Sequence, residues 1–249
     1  MGVQETLGKW VGATWAPAAR VGSTLRHARV LHPEGLMMQA HVQPVPVRPA
    51  LAPLAQRLSG AALVRLSTAL WRGGREWPDI LGLAVRFRKE GPLTEEAQPG
   101  DQDLLCATLR SPWTLGLAPL TTQVHDWLAN DYYGVSPFEV EGLGRAKLRL
   151  VAQGPGSQGA LGTSRVQRLL AAAGEGHARF ALEVQPLGGA SAGVWSPVVQ
   201  LVLGRELQLD PARLRFSPFR SGRGLRPVGF VHSLRVLPYR ESQAARARH

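Results

Sequence analysis

Ala61-Ala62-Leu63-Val64-Arg65-Leu66-Ser67-Thr68 reads as a β-strand with two unlike faces. Successive side chains of a strand point to opposite sides, so Val64 and Leu66 share one face while Arg65 and Ser67 share the other. The same reading extends along the chain. Residues 36–47 are strand-like, closed by Pro44 and Pro46, and residues 81–87 give the next strand. Residues 132–142 and 146–152 read as a hairpin across Gly142-Leu143-Gly144. Residues 178–184 and 198–203 are further strands, joined through 191–197. Helical spacing is confined to a few places. These are 50–58, which stops at Gly60, and 164–173, where Val166, Leu169 and Leu170 share a face, with a C-terminal helix from about Ser233. Residues 89–103 and the glycine-rich 154–162 read as loops. Many short strands with few helices predict an α+β chain that is mostly β, a closed antiparallel barrel with flanking helices.

The chain has 249 residues, enough for one sizeable core, with 44% hydrophobic residues. Residues 1–28 read as an N-terminal arm and 29–249 as a single domain. Trp10 and Trp15 on the arm could pack against a second copy, which offers a route to a homodimer. No run of 18 apolar residues occurs, so no membrane span is expected. Glu5 and Lys9 interrupt any secretory signal. The single cysteine, Cys106, excludes an internal disulfide and suits a reducing cytoplasm. The net charge of +11 invites a nucleic-acid reading. The basic residues are nearly all arginine and are spread through the chain rather than bunched. A compositional bias therefore explains the charge better than a nucleic-acid footprint does.

Near the C-terminus, Arg235-Val236-Leu237-Pro238-Tyr239 places a guanidinium four residues before a phenol. On one helical face, such an arginine stabilises a phenolate by charge and hydrogen bonding. A phenolate is an axial ligand for haem iron. The order of several fragments agrees with this. Arg29-Val30-Leu31-His32, the strand Val64–Thr68 and the segment Asp79 to Phe87 come first. Asn130-Asp131-Tyr132-Tyr133-Gly134-Val135, Arg215-Phe216-Ser217-Pro218 and the Arg235–Tyr239 pair follow. Together they resemble the haem catalases, in a short form similar to the minimal catalase-related peroxidases.

The resemblance implies a catalase-like barrel that carries haem b and acts on hydrogen peroxide or an organic hydroperoxide. It implies that Tyr239 is the proximal iron ligand, with Arg235 holding it ionised. It implies that His32 is the distal acid–base group, oriented by Ser67. Arg29, Arg65 and Arg246 would meet the two haem carboxylates, which suits arginine's bidentate geometry. Catalases also carry a distal asparagine. Along Asp103-Leu104-Leu105-Cys106-Ala107-Thr108, Thr108 stands where it would be, and Asn130 is the only asparagine in the chain. Weak dismutation of hydrogen peroxide is therefore expected. The runner-up readings are a hydroperoxide isomerase or dehydratase of the allene oxide synthase type, and a non-catalytic haem-binding protein. Separately, Gly189-Ala190-Ser191-Ala192-Gly193 fits a serine-hydrolase elbow, followed by Asp210 and His232. An elbow must join a strand to a helix, and here a second strand follows.

Overall fold

A computed structural model describes residues 35–71, 73–111, 114, 116–134, 136–157 and 162–228. Among these residues, ten antiparallel strands form one sheet. They are β1 (Gly35–Pro44), β2 (Gly60–Thr68), β3 (Leu81–Arg88), β4 (Gln102–Ala107), β5 (Asp131–Gly134), β6 (Phe138–Val140), β7 (Gly144–Gln153), β8 (Arg179–Pro186), β9 (Ser196–Glu206) and β10 (Leu225–Pro227). Eight of them close into a barrel in the order β1-β2-β3-β4-β5-β7-β8-β9, with β9 returning to β1. β6 and β10 extend the sheet from the start of β7. The expected closed barrel is observed. An eight-stranded barrel has an interior just wide enough for side chains to fill. Here that interior is one packed core, which includes Met38, Val64, Leu66, Val85, Phe87, Leu104, Leu150, Phe180 and Leu201.

Period-two alternation accounts for the strands. Along β2, Ala62, Val64 and Leu66 enter the interior core. Leu63 on the opposite face joins a separate outer cluster with Met37 and Leu214. Among the described residues, three α-helices decorate the barrel: α1 (Ala52–Leu58), α2 (Ala118–Thr121) and α3 (Arg165–Gly174). α1 packs on β1 and β9 and sends Leu54, Ala55 and Leu58 inward. α3 begins with a capping box. The Ser164 side chain accepts from the Gln167 backbone N–H, and the Gln167 side chain answers to the Ser164 N–H. None of these helices is long and apolar enough to cross a membrane.

Several sequence expectations shift. β4 falls partly inside the polar stretch that reads as a loop. Its leading Gln102 and Asp103 are buried because each finds partners. Gln102 Nε2 donates to the Arg220 and Leu225 carbonyls at 2.8 and 3.0 Å, and its Oε1 accepts from the Arg223 and Leu225 N–H groups. The expected strand over 132–142 is two short strands, β5 and β6. The Gly189–Gly193 stretch lies in the turn between strands β8 and β9, so the hydrolase elbow is overturned. Ser191 there accepts a hydrogen bond from Arg48. The expected arm (1–28), the C-terminal helix, His32, Arg29, Arg235, Tyr239, Arg246 and His232 lie outside the described residues.

Candidate functional site

The register across β1 to β4 sorts the outer face of the barrel into rows. Gly35 pairs with Ser67, Ser67 with Gly82, and Gly82 with Ala107. The next outer row is Met37, Arg65, Ala84 and Leu105, and the one below is Gln39, Leu63, Arg86 and Asp103. The first row crosses four strands with two glycines, one serine and one alanine. The second adds one more alanine. The first row is thus a narrow shelf free of bulky side chains, bordered in the second row by Met37, Arg65 and Leu105.

Gly35 is required where it stands. A Cβ there would come within 2.7 Å of Arg65 Nε and 2.9 Å of the Leu66 carbonyl oxygen. The missing side chain lets Arg65 lie close against β1. Burial pushes the Arg65 guanidinium down from its ordinary value. A carboxylate placed beside it would favour the charged form.

The lower half of the face is the opposite in kind. Arg86 and Asp103, both fully buried, make two contacts, Nε to Oδ1 at 2.9 Å and Nη2 to Oδ2 at 3.2 Å. Asp103 also accepts from the Ser217 N–H at 2.8 Å and from Arg220. Arg88 grips Asp101 in the same way, at 3.2 and 2.7 Å. Phe216 lies 4.9 Å from the Arg86 guanidinium, and Leu207, Leu209 and Leu214 complete the cover.

The structure places the sequence-predicted residues as follows. Ser67 is buried in the first outer row, opposite the start of β1. Arg65 is in the row below it. Thr108 is not on this shelf. Alternation along β4 puts Ala107, not Thr108, in the row of Ser67. The Thr108 hydroxyl accepts from the Leu81 N–H at 3.1 Å and lies 2.8 Å from Thr122 Oγ1. Its role is to fasten the end of β4 to β3 and α2. Asp79, at the head of β3, is also occupied. It accepts from the N–H groups of Ala69, Leu70, Trp71 and Ile80, at 3.2, 3.0, 3.4 and 2.7 Å. Burial nevertheless holds its carboxyl above the ordinary value.

Sequence reasoning missed the composition of the shelf. Gly82, Ala84 and Ala107 become informative only once the register sets them beside Ser67. Among the described residues, no group of three His, Cys, Asp or Glu side chains could hold a metal ion.

No protein-family model matches the chain, and no curated protein matches it. Solved structures do. A fungal catalase superimposes with a TM-score of 0.56 at 12% sequence identity. The match covers 84% of this chain and 56% of the catalase, so this chain spans little more than half of that protein's length. The fold is catalase-like. At this identity the likeness concerns the fold and leaves the chemistry to the residues.

Proposed function

We propose that this protein is a haem b-dependent oxidoreductase of the peroxidase type, acting on hydrogen peroxide or an organic hydroperoxide. The observation that supports it most is the outer shelf of β1–β4. Three inter-strand gaps of about 4.8 Å make it roughly 14 Å wide, the scale of a porphyrin. The side chains of its first row, Gly35, Ser67, Gly82 and Ala107, are small enough to let the edge of a flat ring approach the sheet. Arg65 on the second row suits a ring that carries carboxylates. The described part of the site therefore fits haem.

In this reading Tyr239 holds the iron as a phenolate and Arg235 keeps the phenol ionised. Arg29, Arg65 and Arg246 bind the carboxylates. His32 takes and returns a proton at the peroxide oxygens, and Ser67 orients its imidazole. Bound haem supplies the redox chemistry of iron, which the side chains alone lack. Residues 29–249 then form one haem-binding unit, and residues 1–28 an arm available for pairing two copies.

Ala107 refines the reading. It leaves Ser67 as the only hydroxyl or amide side chain in the first row. Without an amide to hold a second peroxide, dismutation is slow. Reduction or rearrangement of a larger hydroperoxide is the favoured outcome. The test is His32→Ala in haem-loaded protein. Peroxide-dependent oxidation of a phenolic dye should fall by about 10²- to 10⁴-fold with the haem absorption retained. Unchanged oxidation would remove the catalytic role, and dismutation at catalase rates by the wild type would contradict the role given to Ala107.

A further inference from the structure

The loops at one end of the barrel carry a second feature. Residues 69–80 join β2 to β3, residues 108–130 join β4 to β5, and both leave the end at which β1 begins. Among the described residues they expose large apolar side chains, Leu70 at 46%, Trp77 at 52%, Leu117 at 63% and Leu120 at 74%. Scattered singly, such residues need no explanation. Here they sit on two loops that are tied together. The buried Arg165 donates to the Val124 carbonyl at 2.7 Å and to the Arg75 carbonyl at 2.6 Å, and Glu76 meets His125 at 2.7 Å.

Both loops are also held in shape. Trp71 Nε1 donates to the Pro78 carbonyl at 2.9 Å, and the Trp71 ring meets Trp77 edge-on with centroids 5.2 Å apart. The Thr122 hydroxyl donates to the carbonyl of the buried Ala118 at 2.8 Å, which moors α2 and leaves Leu117 and Leu120 outside. The charges are sorted by direction. The acidic residues of the two loops are Glu76, Asp79 and Asp126, and each is engaged within the fold. Glu76 accepts from Arg168 at 3.1 Å and from the Arg165 backbone N–H at 2.6 Å. Asp79 accepts from its four backbone N–H groups, and Asp126 from the Leu128 N–H at 2.7 Å and the Ser157 hydroxyl. Arg75 and Arg110 are exposed, and the Arg75 guanidinium lies 4.9 Å from the Trp77 ring. From Leu104 to His125 the sequence carries no acidic residue.

We propose that this end of the barrel docks on an anionic lipid surface, as a peripheral contact and not a span. Leu70, Leu117 and Leu120 enter the acyl boundary, Trp77 sits at the headgroup level, and Arg75 and Arg110 face the lipid phosphates. Outward cations beside inward carboxylates suit a negatively charged surface. A second copy fits less well, because a two-fold contact through this face would set its arginines against the same arginines. The proposal concerns the protein chain alone and does not depend on haem.

The experiment is co-sedimentation of the full-length chain, without added haem, with vesicles of phosphatidylcholine alone and of phosphatidylcholine mixed with phosphatidylglycerol. The expected result is binding to the mixed vesicles and weaker binding to phosphatidylcholine. Leu117→Ser combined with Leu120→Ser should weaken binding at least about 10-fold, since both side chains lose apolar burial. Arg75→Gln should weaken it about 5-fold on the mixed vesicles only, the worth of one cation near an anionic surface. Leu187→Ser combined with Val194→Ser alters exposed apolar residues of the β8–β9 turn at the opposite end and should bind like the wild type. A chain that ignores the mixed vesicles would overturn the proposal. Undiminished binding in the Leu117 and Leu120 variant would overturn it too, because net charge alone would then hold the chain. A dimer that dissociates in that variant, with no vesicle binding by the wild type, would assign the face to a second copy instead.

Discussion

The two halves of the outer face of β1–β4 share the same strands, the same register and the same twist, yet they are built to opposite ends. In the lower half two buried arginine–aspartate pairs and a cover of Leu214 and Phe216 leave no room. In the upper half the row Gly35, Ser67, Gly82 and Ala107 withholds side chains. A sheet built only for stability would fill both. The contrast teaches that the lower half anchors the 207–220 segment, while the first row of the upper half leaves the flat surface that the proposed haem site would use.

The largest effect belongs to the lower half. Asp103→Ala leaves Arg86 buried without its carboxylate, and removing one member of a buried pair costs about 3–5 kcal/mol. Urea unfolding should register the loss. A change under about 1 kcal/mol would mean that water reaches the pair and the lower half is not a closed anchor.

Next comes the upper half. Arg65→Met should weaken haem binding about 10- to 100-fold, the worth of one charge-assisted hydrogen bond, and cost less stability than Asp103→Ala. A haem titration followed by absorbance measures it. If unfolding suffers and haem affinity does not, the two halves do not differ in purpose.

The smallest effect is a pH dependence confined to the lower half. Burial alone would raise the Asp101 carboxyl. The Arg88 and Gln98 N–H bonds and the charges of Arg88 and Arg86 outweigh burial and hold it below its ordinary 3.8. A depressed folded value stabilises the protein above the unfolded value and loses that stabilisation as pH falls through the folded one. Acid unfolding should therefore steepen below about pH 3.8, and Asp101→Asn should flatten that limb. An equally steep limb in the variant would place the acid sensitivity elsewhere.

The barrel was legible in the sequence where alternation was clean. The expected strands at 61–68 and 81–87 match β2 and β3 within a residue. β4 was hidden because Gln102 and Asp103 look like loop residues. Their burial depends on Arg86, Arg220 and Leu225, which lie far away in sequence. The candidate site was half legible. Arg65 and Ser67 could be assigned to one face from four residues of alternating pattern. Ala107 could not, since one step along β4 separates it from Thr108 and only the pairing with Gly82 decides between them. Arg165 gave no signal, because its bracing of two distant loops is a product of the fold.

The measurement that bears most directly on the whole account is a visible absorption spectrum of the protein supplied with haem, taken beside Ala84→Trp and Tyr239→Phe. The account expects a Soret band in the wild type, an altered band in Tyr239→Phe, and no band in Ala84→Trp, whose indole would fill the shelf while circular dichroism stays unchanged. No Soret band in the wild type after full haem supply, or an undiminished one in Ala84→Trp, would contradict it.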